Sequence, residues 1–342
     1  MGILTKIKIF LARAKSGSLR RMLTYTKLAA NEAGRNPVVV LFDVVWCIFR
    51  YGVGYQDYRV FGFAKLRAWQ RKTFFTYGHN VALTREMNRV DGPGCLNDKC
   101  LFLEKFSDCL NRQWMDLRSG TPETLEAFCK GKSRIFVKMV DGFGGAGAAM
   151  LLLSENTDYQ VLYDKLMENR QFLLDEPIIQ HPKMNLLCER SLNTVRIVTI
   201  TTERGVEVAY TIVRIGRGNS VVDNVSAGGM YTLVDENGRL HFPAFCDKDA
   251  CYYDCHPVTG TRFEGFQIPY FAEAVALVRK AALRIPEYGY VGWDVGITET
   301  GPVLLEANDL PGYDMPQNKR FCPDGVGLLP RMEALAGKTI LR

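Results

Sequence analysis

The sequence contains no apolar run long enough to cross a membrane. A membrane-spanning helix needs about 18 or more nearly uncharged apolar residues, and the best candidate, residues 38–49, is interrupted by Asp43 and followed by Arg50. The amino terminus also lacks a uniform apolar stretch followed by a small-residue cleavage site, so no signal peptide is expected. These absences favour a cytoplasmic protein over a membrane-spanning or secreted one.

The ten cysteines form neither a disulfide framework nor a common metal-binding pattern. No Cys-x-x-Cys pair occurs, and the spacing of the one local cluster, Cys246, Cys251, Cys255 and His256, fits no common zinc site. A chain of 342 residues can bury enough apolar surface to need no disulfides. We therefore expect reduced thiols, as in a cytoplasmic protein.

Acidic residues are scarce in the first 90 residues, which hold 16 Lys/Arg and 4 Asp/Glu for a net charge of +12. Residues 91–342 hold 27 Lys/Arg and 33 Asp/Glu, for a net charge of −6. This division predicts a basic N-terminal region, residues 1–90, and a mildly acidic body. The region could be a cap packed on the body, or it could contact an anionic membrane surface at the inner membrane face. No motif supports nucleic-acid binding.

Periodicity predicts an α+β fold, because helices and strands mix without a strict βαβ order. Expected helices are residues 1–32, 38–51, 57–72, 99–110 and 267–285, with another beginning at Pro122. Expected strands are residues 135–139, 148–153 and 177–182, and the hairpins 194–202/206–214 and 290–297/302–307.

Two carboxylates and a carboxamide mark the last predicted hairpin. Glu306 and Asn308 are two residues apart on one strand and so project from the same face, and the hairpin can bring Asp294 beside them. Hard oxygen donors of this kind suit Mg²⁺. The alternative is a solvated hairpin that happens to carry polar residues.

A lysine on a short strand precedes a glycine-rich loop. Lys138 is followed by a loop that contains Gly144, Gly145 and Gly147. Backbone N–H groups of such a loop can approach phosphates, and the lysine supplies a positive charge. It is not a P-loop, since no Gly-Lys-Ser/Thr follows. The alternative is a plain turn.

Two arginines, Arg196 and Arg214, lie in otherwise apolar runs on neighbouring predicted strands. An unpaired buried charge is costly, so each needs a partner, either a structural ion pair or an anionic substrate held by the two guanidinium groups. The apolar segment that ends in Gln180 and His181 could present backbone groups to an adenine edge, or could simply run into a loop.

In this order and spacing, these signals resemble the ATP-grasp superfamily and, more narrowly, the sugar-transfer-associated ATP-grasp proteins. Further segments that carry the resemblance are Asn97-Asp98-Lys99, residues 191–196, Val222-Asp223-Asn224, Gly228-Gly229, residues 256–260, residues 291–294 and residues 306–312. The resemblance implies two α+β subdomains that grip ATP, residues 91–178 and 179–342, preceded by the helical region of residues 1–90.

The resemblance also implies roles for individual residues. Lys99 and Lys138 would contact the ATP phosphates under a lid formed by Gly144, Gly145 and Gly147. Gln180 and His181 would lie at the adenine hinge, with Glu189 at the ribose. Asp294, Glu306 and Asn308 would hold one or two Mg²⁺ ions. Arg196, Arg214 and Asn224 would face the acyl substrate, as in the similar ribosomal-protein glutamate ligases.

One departure concerns the cation that stabilises the transition state. D-alanine ligases place an arginine two residues before the metal-binding aspartate, whereas Gly292 stands there in this chain. Arg196 or Arg214 is the candidate to replace it.

The resemblance implies an ATP-dependent carboxylate–amine ligase. Such enzymes form an amide through an acyl phosphate, with no covalent enzyme nucleophile, and a sugar acid, an amino acid or a peptide is the expected substrate class. The expected setting is cell-surface polysaccharide or secondary-metabolite biosynthesis. Two alternatives stay open, a kinase that phosphorylates a hydroxyl and a nucleotide-binding protein without turnover.

Overall fold

The N-terminal region is a set of short helices in a computed structural model, which describes residues 19–90, 94–140, 147–218, 223–225 and 228–341. Within the described residues these helices are α1 (Leu19–Ala33), α2 (Pro37–Tyr51), α3 (Tyr55–Val60), α4 (Ala68–Arg71) and α5 (Tyr77–Met87), with a 3₁₀ turn at Phe63–Lys65. The helix predicted over residues 38–51 is confirmed. Residues 1–18 of the first predicted helix lie outside the described residues, and its remainder is α1.

The single helix predicted over residues 57–72 is wrong, because Gly62 ends it. Gly62 has a φ of +72°, a left-handed conformation that favours glycine, and a Cβ there would lie 2.9 Å from Cβ of Lys319. The close approach of the segment around Lys319 therefore fixes a turn where the apolar spacing predicts a continuous helix.

A small antiparallel sheet follows, with strand order β1-β4-β2-β3. Its strands are β1 (Trp114–Asp116), β2 (Arg134–Lys138), β3 (Ala149–Leu152) and β4 (Leu173–Asp175), and the helices around it are α6 (Lys99–Lys105), α7 (Pro122–Cys129) and α8 (Tyr159–Glu168). Leu125, Ile135, Leu166 and Leu174 are buried together in its core. The predicted strands and the helix at Pro122 are confirmed, but the helix that begins at Lys99 is shorter than predicted.

The second sheet has seven antiparallel strands in the order β11-β10-β5-β6-β7-β8-β9. The strands are β5 (Val195–Thr202), β6 (Gly205–Ile215), β7 (Met230–Val234), β8 (Ala244–Cys246), β9 (Cys251–Tyr253), β10 (Tyr290–Thr298) and β11 (Gly301–Asn308). The remaining described helices are α9 (Pro182–Asn185), α10 (Phe271–Ala282) and α11 (Leu329–Ala336). Both predicted hairpins are confirmed. The strand predicted over residues 177–182 is wrong, since this segment is irregular and Pro182 begins α9.

The two faces of the seven-stranded sheet differ in chemistry. Val195, Val213 and Trp293 pack on one face in the same core as Val278 of α10. Since side chains alternate along a strand, Arg196 and Asp294 project from the other face. Farther along that face, Tyr290 packs in one cluster with Phe75 from the N-terminal region. The charged row therefore lies on the same sheet face as a patch that the N-terminal helices cover.

Buried polar contacts join the N-terminal helices to the body. The fully buried amide of Gln317 accepts from the Phe75 N–H at 2.8 Å and donates to the Phe75 carbonyl at 2.8 Å. Asn80 donates to the carbonyl of Pro311 at 2.9 Å. The described helices thus pack on the body, as the first interpretation of the basic region expects. The domain boundaries at residues 90 and 178 stay a prediction.

No helix in the described parts of the chain combines the length and the apolarity that crossing a membrane requires.

Candidate functional site

A row of polar side chains crosses three neighbouring strands of the large sheet. Asp294 on β10 lies directly opposite Arg196 on β5 and opposite Glu306 on β11. On one side of the Asp294–Glu306 pair, a bulge leaves Leu305 as an extra residue on β11. On the other side, Asn308 pairs with Gly292. Since residues two apart share a face, the structure brings Asp294, Glu306 and Asn308 together as predicted from the sequence.

Asp294 is held by both predicted arginines. Arg196 donates from Nε to Oδ1 and from NH2 to Oδ2, each at 2.7 Å, and NH2 of Arg214 donates to Oδ2 at 2.9 Å. Asp294 is only 1% exposed and each arginine 9%. Burial by itself would raise the pKa of Asp294, but the positive charges of Arg196 and Arg214 outweigh it and keep that pKa well below its ordinary value.

Glu306 lies in a different electrostatic environment from Asp294. Burial and the negative charge of Asp294 raise the pKa of Glu306, while Lys99 opposes the rise. Lys99 is the first residue of α6, which Asp98 caps by accepting from the N–H groups of Cys100 and Leu101. The structure therefore places Lys99 within electrostatic reach of the carboxylate that belongs to the candidate metal site.

Arg214 links this row to the segment that carries Asn224. Nε of Arg214 lies 3.7 Å from Oδ2 of Asp223, and the same oxygen accepts from the Thr194 N–H at 2.9 Å. The carbonyl of Asn224 accepts from the Gly229 N–H at 3.1 Å. A Cβ on Gly229 would lie 2.2 Å from the Asp223 carbonyl oxygen, so this close turn requires glycine.

Asp223 is a site residue that our sequence reasoning missed. It directly precedes Asn224, which is one of the predicted substrate-binding residues. The signal that could have indicated it is that two arginines in apolar runs need acidic partners, and Asp223 is a carboxylate within a segment that carries the family resemblance. Arg214 in fact touches Asp223 and Asp294 together.

Lys138 is paired with a second carboxylate that the sequence reasoning missed, Asp175 at the end of β4. Its Nζ lies 2.8 Å from Oδ2 of Asp175, and Nε of Arg112 lies 3.1 Å from Oδ1. Arg112 also donates to the Leu304 carbonyl on β11 at 2.8 Å, so this cluster connects the two sheets. The only hint in the sequence is the charge that ends the apolar run Leu173-Leu174-Asp175.

Replacing Asp175 with Asn should remove a pH-dependent part of the stability. Burial alone would raise the pKa of Asp175, but the charges of Lys138 and Arg112 hold it below its ordinary value of 3.8. Since the folded-state pKa is depressed, the stabilisation is complete above pH 3.8 and disappears as the pH falls through the folded-state pKa. We expect Asp175→Asn to lower the free energy of unfolding by about 2 kcal/mol at pH 7.

Urea unfolding at pH 7, 5 and 3 measures this effect. The difference between the wild type and Asp175→Asn should narrow at pH 3. Asp158→Asn is the control, since Asp158 caps a surface helix and has no ion pair with a basic residue among the described contacts. A difference that stays constant over this pH range would contradict the ion-pair assignment.

The glycine loop after Lys138 is described only at its end. Gly144 and Gly145 lie outside the described residues. Gly147 has a φ of +70°, and a Cβ there would lie 2.7 Å from Sδ of Met139, so the backbone requires glycine at this position. The role of these residues as a lid over phosphates stays a prediction.

The hinge residues have side chains engaged by the protein itself. The Gln180 amide donates to Asn185 and the Cys188 carbonyl at 2.7 and 2.9 Å, and accepts from the N–H and the amide of Asn193 at 2.7 and 2.9 Å. His181 caps α9 through Nδ1, and its ring contacts that of Tyr270. Contact with adenine would therefore fall to the backbone. Glu189 lies on an exposed turn, and its ribose contact stays a prediction.

The donor set on the sheet fits a magnesium ion. It offers the carboxylate of Glu306, the carboxamide of Asn308 and the one lone pair of Asp294 Oδ1 that Arg196 leaves over. Nδ2 of Asn308 is buried without a hydrogen-bond partner, and a carboxamide can rotate to present its oxygen to a cation instead. The described residues contain no cluster of three His, Cys, Asp or Glu side chains, so the amide is needed to complete the set.

Comparison with protein-family models identifies the chain. The model described as sugar-transfer associated ATP-grasp matches residues 124–336, which include β2 to β11 and every residue of the charged row. The chain belongs to this family and has the α+β ATP-grasp fold, preceded by the helical N-terminal region, as the sequence predicted. No curated protein matches the chain.

Among solved structures, the chain is similar to D-alanine–D-alanine ligase from Bacillus anthracis, at 14% identity over 72% of this chain and 67% of that one, with a TM-score of 0.39. Carboxyaminoimidazole ribonucleotide synthase from Aspergillus clavatus, complexed with ATP, matches at 13% identity, 64% and 46% coverage and a TM-score of 0.41. The biotin carboxylase domain of Hydrogenobacter thermophilus 2-oxoglutarate carboxylase, in complex with MgADP, matches at 14% identity over 72% of this chain and 47% of that one, with a TM-score of 0.41. The chain spans about half the length of these last two.

Proposed function

We propose that the protein is an ATP-dependent ligase that joins a carboxylate to an amine and releases ADP and phosphate. The observation that carries the proposal is the row of buried Arg196, Arg214 and Asp294 with half-buried Glu306, which sets two permanent cations beside a hard oxygen donor set on one sheet face. Membership of the ATP-grasp family supports ATP as the co-substrate. The proposed substrates are sugar acids, amino acids or peptides of cell-surface polysaccharide or secondary-metabolite biosynthesis.

The residues divide into a nucleotide group and a metal group. Lys99 and Lys138 would bind ATP phosphates, and Lys138 would exchange Asp175 for a phosphate oxygen to do so. Asp294, Glu306 and Asn308 would hold Mg²⁺. When bound, the ion would neutralise phosphate charge, as divalent cations do in phosphoryl transfer. The nearby ammonium group of Lys99 would add positive charge on the same side as Glu306.

The arginines would act on the carboxylate substrate and on the acyl phosphate formed from it. A guanidinium group stays charged at all working pH values and binds two oxygens at once. Arg196 and Arg214 are already oriented by Asp294, so little reorganisation is required when negative charge develops beside them. Asn224, next to Arg214 through Asp223, would contact the same substrate group. The site must close over the acyl phosphate, because water would hydrolyse it.

A substrate screen with two product readouts tests the proposal. The protein is incubated with ATP and Mg²⁺ and with pairs drawn from amino acids, small peptides and uronic acids, and phosphate release is measured. We expect release to require both a carboxylate and an amine, with an amide identified by mass spectrometry and free phosphate by ³¹P NMR. A phosphate ester as the product would establish a kinase instead, and nucleotide binding without turnover on any pair would contradict the ligase proposal.

A further inference from the structure

Helix α2 presents large apolar side chains to solvent on one side. Its inner side is buried through Val40, Val44, Cys47 and Tyr51. On its outer side Val38, Val39, Phe42, Trp46 and Phe49 are 40–72% exposed, with Phe42 at 72% and Trp46 at 60%. We call these five residues the outer face of α2. Contiguous exposed apolar surface of this kind marks an interaction site more often than an ordinary solvent-facing surface.

The outer face is a continuous stripe along the helix axis. With about 100° between successive residues, the five side chains fall within a sector of about 100°. The acidic residue of this helix, Asp43, is turned inward, where Arg71 donates to it at 2.6 and 2.8 Å and Tyr58 at 2.6 Å. The preceding helix α1 also carries exposed apolar residues, Leu19 and Leu23, one turn apart. No acidic side chain therefore interrupts the stripe.

The exposed charges of the described N-terminal region are mostly positive, with Glu32 and Glu86 as its exposed acidic residues. Exposed basic residues of the described N-terminal region are Arg20, Arg21, Lys27, Arg35, Arg50, Lys65, Arg67, Lys72, Arg85 and Arg89. Arg35 and Arg50 stand at the two ends of α2. The sequence before α1 adds Lys6, Lys8, Arg13 and Lys15 and no acidic residue.

All four acidic side chains of residues 1–90 are engaged within the protein. Glu32 pairs with Arg59 at 2.6 Å and with Lys319, and Asp43 pairs with Arg71. Asp57 accepts from the hydroxyl of Tyr313 at 2.8 Å, and Glu86 pairs with Lys338 at 2.6 Å. The outward charge of the region is thus positive, which complements a negatively charged surface.

We propose that the outer face of α2 docks on an anionic membrane surface, with the helix lying in the plane of the membrane. Phe42 and Trp46 would enter the boundary between headgroups and acyl chains, where aromatic side chains are favoured. The surrounding arginines and lysines would contact anionic headgroups. The helix has 15 residues, a length of about 22 Å, so it can lie on a bilayer but not cross it. This inference stands apart from the proposed ligase activity.

Co-sedimentation of the full chain with vesicles tests the proposal. One set of vesicles is phosphatidylcholine alone, and the other contains a third phosphatidylglycerol. We expect binding to the anionic vesicles that weakens with added salt, and at least about a tenfold loss of binding for the double variant Phe42→Ser/Trp46→Ser. Leu152→Ser/Val161→Ser is the matched control, since these residues are equally exposed, at 83% and 62%, outside the N-terminal region. A blue shift of tryptophan fluorescence in a Trp69→Phe background that disappears when Trp46 is also replaced by Phe reports insertion of Trp46, since Trp114 and Trp293 remain in both proteins.

Three outcomes would overturn the proposal. They are no binding to either kind of vesicle, binding that Phe42→Ser/Trp46→Ser leaves unchanged, and binding abolished only when Lys6, Lys8, Arg13 and Lys15 are changed to Gln. Sedimentation velocity without lipid adds a further check. A dimer that the α2 double variant dissociates, together with no vesicle binding, would assign the face to a second copy of this chain. Circular dichroism checks that each variant is folded, and the side chains replaced at residues 42, 46, 69, 152 and 161 are all exposed.

Discussion

Replacing Glu306 with Gln is expected to lower ATP turnover by about 100-fold or more while leaving the protein folded. Gln keeps the shape of the side chain but removes the negative charge that would hold Mg²⁺ beside Asp294 and Asn308. Glu306 is not part of the arginine–carboxylate contacts that stabilise this face. Its loss should therefore affect nucleotide chemistry much more than stability. ADP formation at increasing Mg²⁺ and the midpoint of thermal unfolding measure the two effects separately.

Glu299→Gln is the control for this experiment. Glu299 lies in the turn of the same β10–β11 hairpin and is exposed, so its replacement should change neither turnover nor the Mg²⁺ requirement. If Glu306→Gln keeps wild-type turnover at low Mg²⁺, the metal assignment of Glu306 is wrong. If both Glu306→Gln and Glu299→Gln lower the unfolding midpoint by many degrees, the loss of turnover reports on folding instead of on the site.

The sequence was sufficient to predict the charged row because strands have a simple geometry. A period of two places Glu306 and Asn308 on one face, and the Glu299-Thr300-Gly301 turn folds Asp294 back beside them. The β-branched runs around Arg196 and Arg214 likewise predicted a hairpin that the structure confirms. These are local patterns, and each depends on residues close together in the chain.

The partners of the site residues could not be predicted, because they are distant in sequence. Asp175 contacts Lys138 only because β2 pairs with β4. Arg112, which pairs with the same carboxylate, lies 63 residues before it in the sequence. Gln180 is a candidate because an apolar segment ends in Gln180 and His181, but its amide is engaged by Asn185 and Asn193, which no spacing rule indicates. Gly62 breaks a helix because a C-terminal segment packs on it. In each case the structure depends on a contact between residues that are distant in sequence, which a local sequence pattern does not indicate.

Replacing Arg196 with Met is expected to lower the free energy of unfolding by about 3–5 kcal/mol. Asp294 is 1% exposed and would lose two of the three N–H donors that its carboxylate now accepts from arginine. Removing one cation from a buried carboxylate destabilises the folded state by more than the intact ion pair stabilises it. Arg196→Lys should recover only part of the loss, because an ammonium group cannot donate to both oxygens in the same plane. Urea unfolding of the three proteins gives the values.

A double-mutant cycle separates the Arg196–Asp294 contact from general damage to the sheet. In an Asp294→Asn background, adding Arg196→Met should cost at least about 2 kcal/mol less than it does in the wild type, since the coupling energy is then absent. Arg262→Met is the control, because Arg262 forms an exposed pair with Glu264, 70% and 60% exposed, and should cost less than about 1 kcal/mol. An Arg196→Met effect as small as that of Arg262→Met would show that Asp294 does not depend on Arg196. The arginine would then be available to a substrate without any cost in stability.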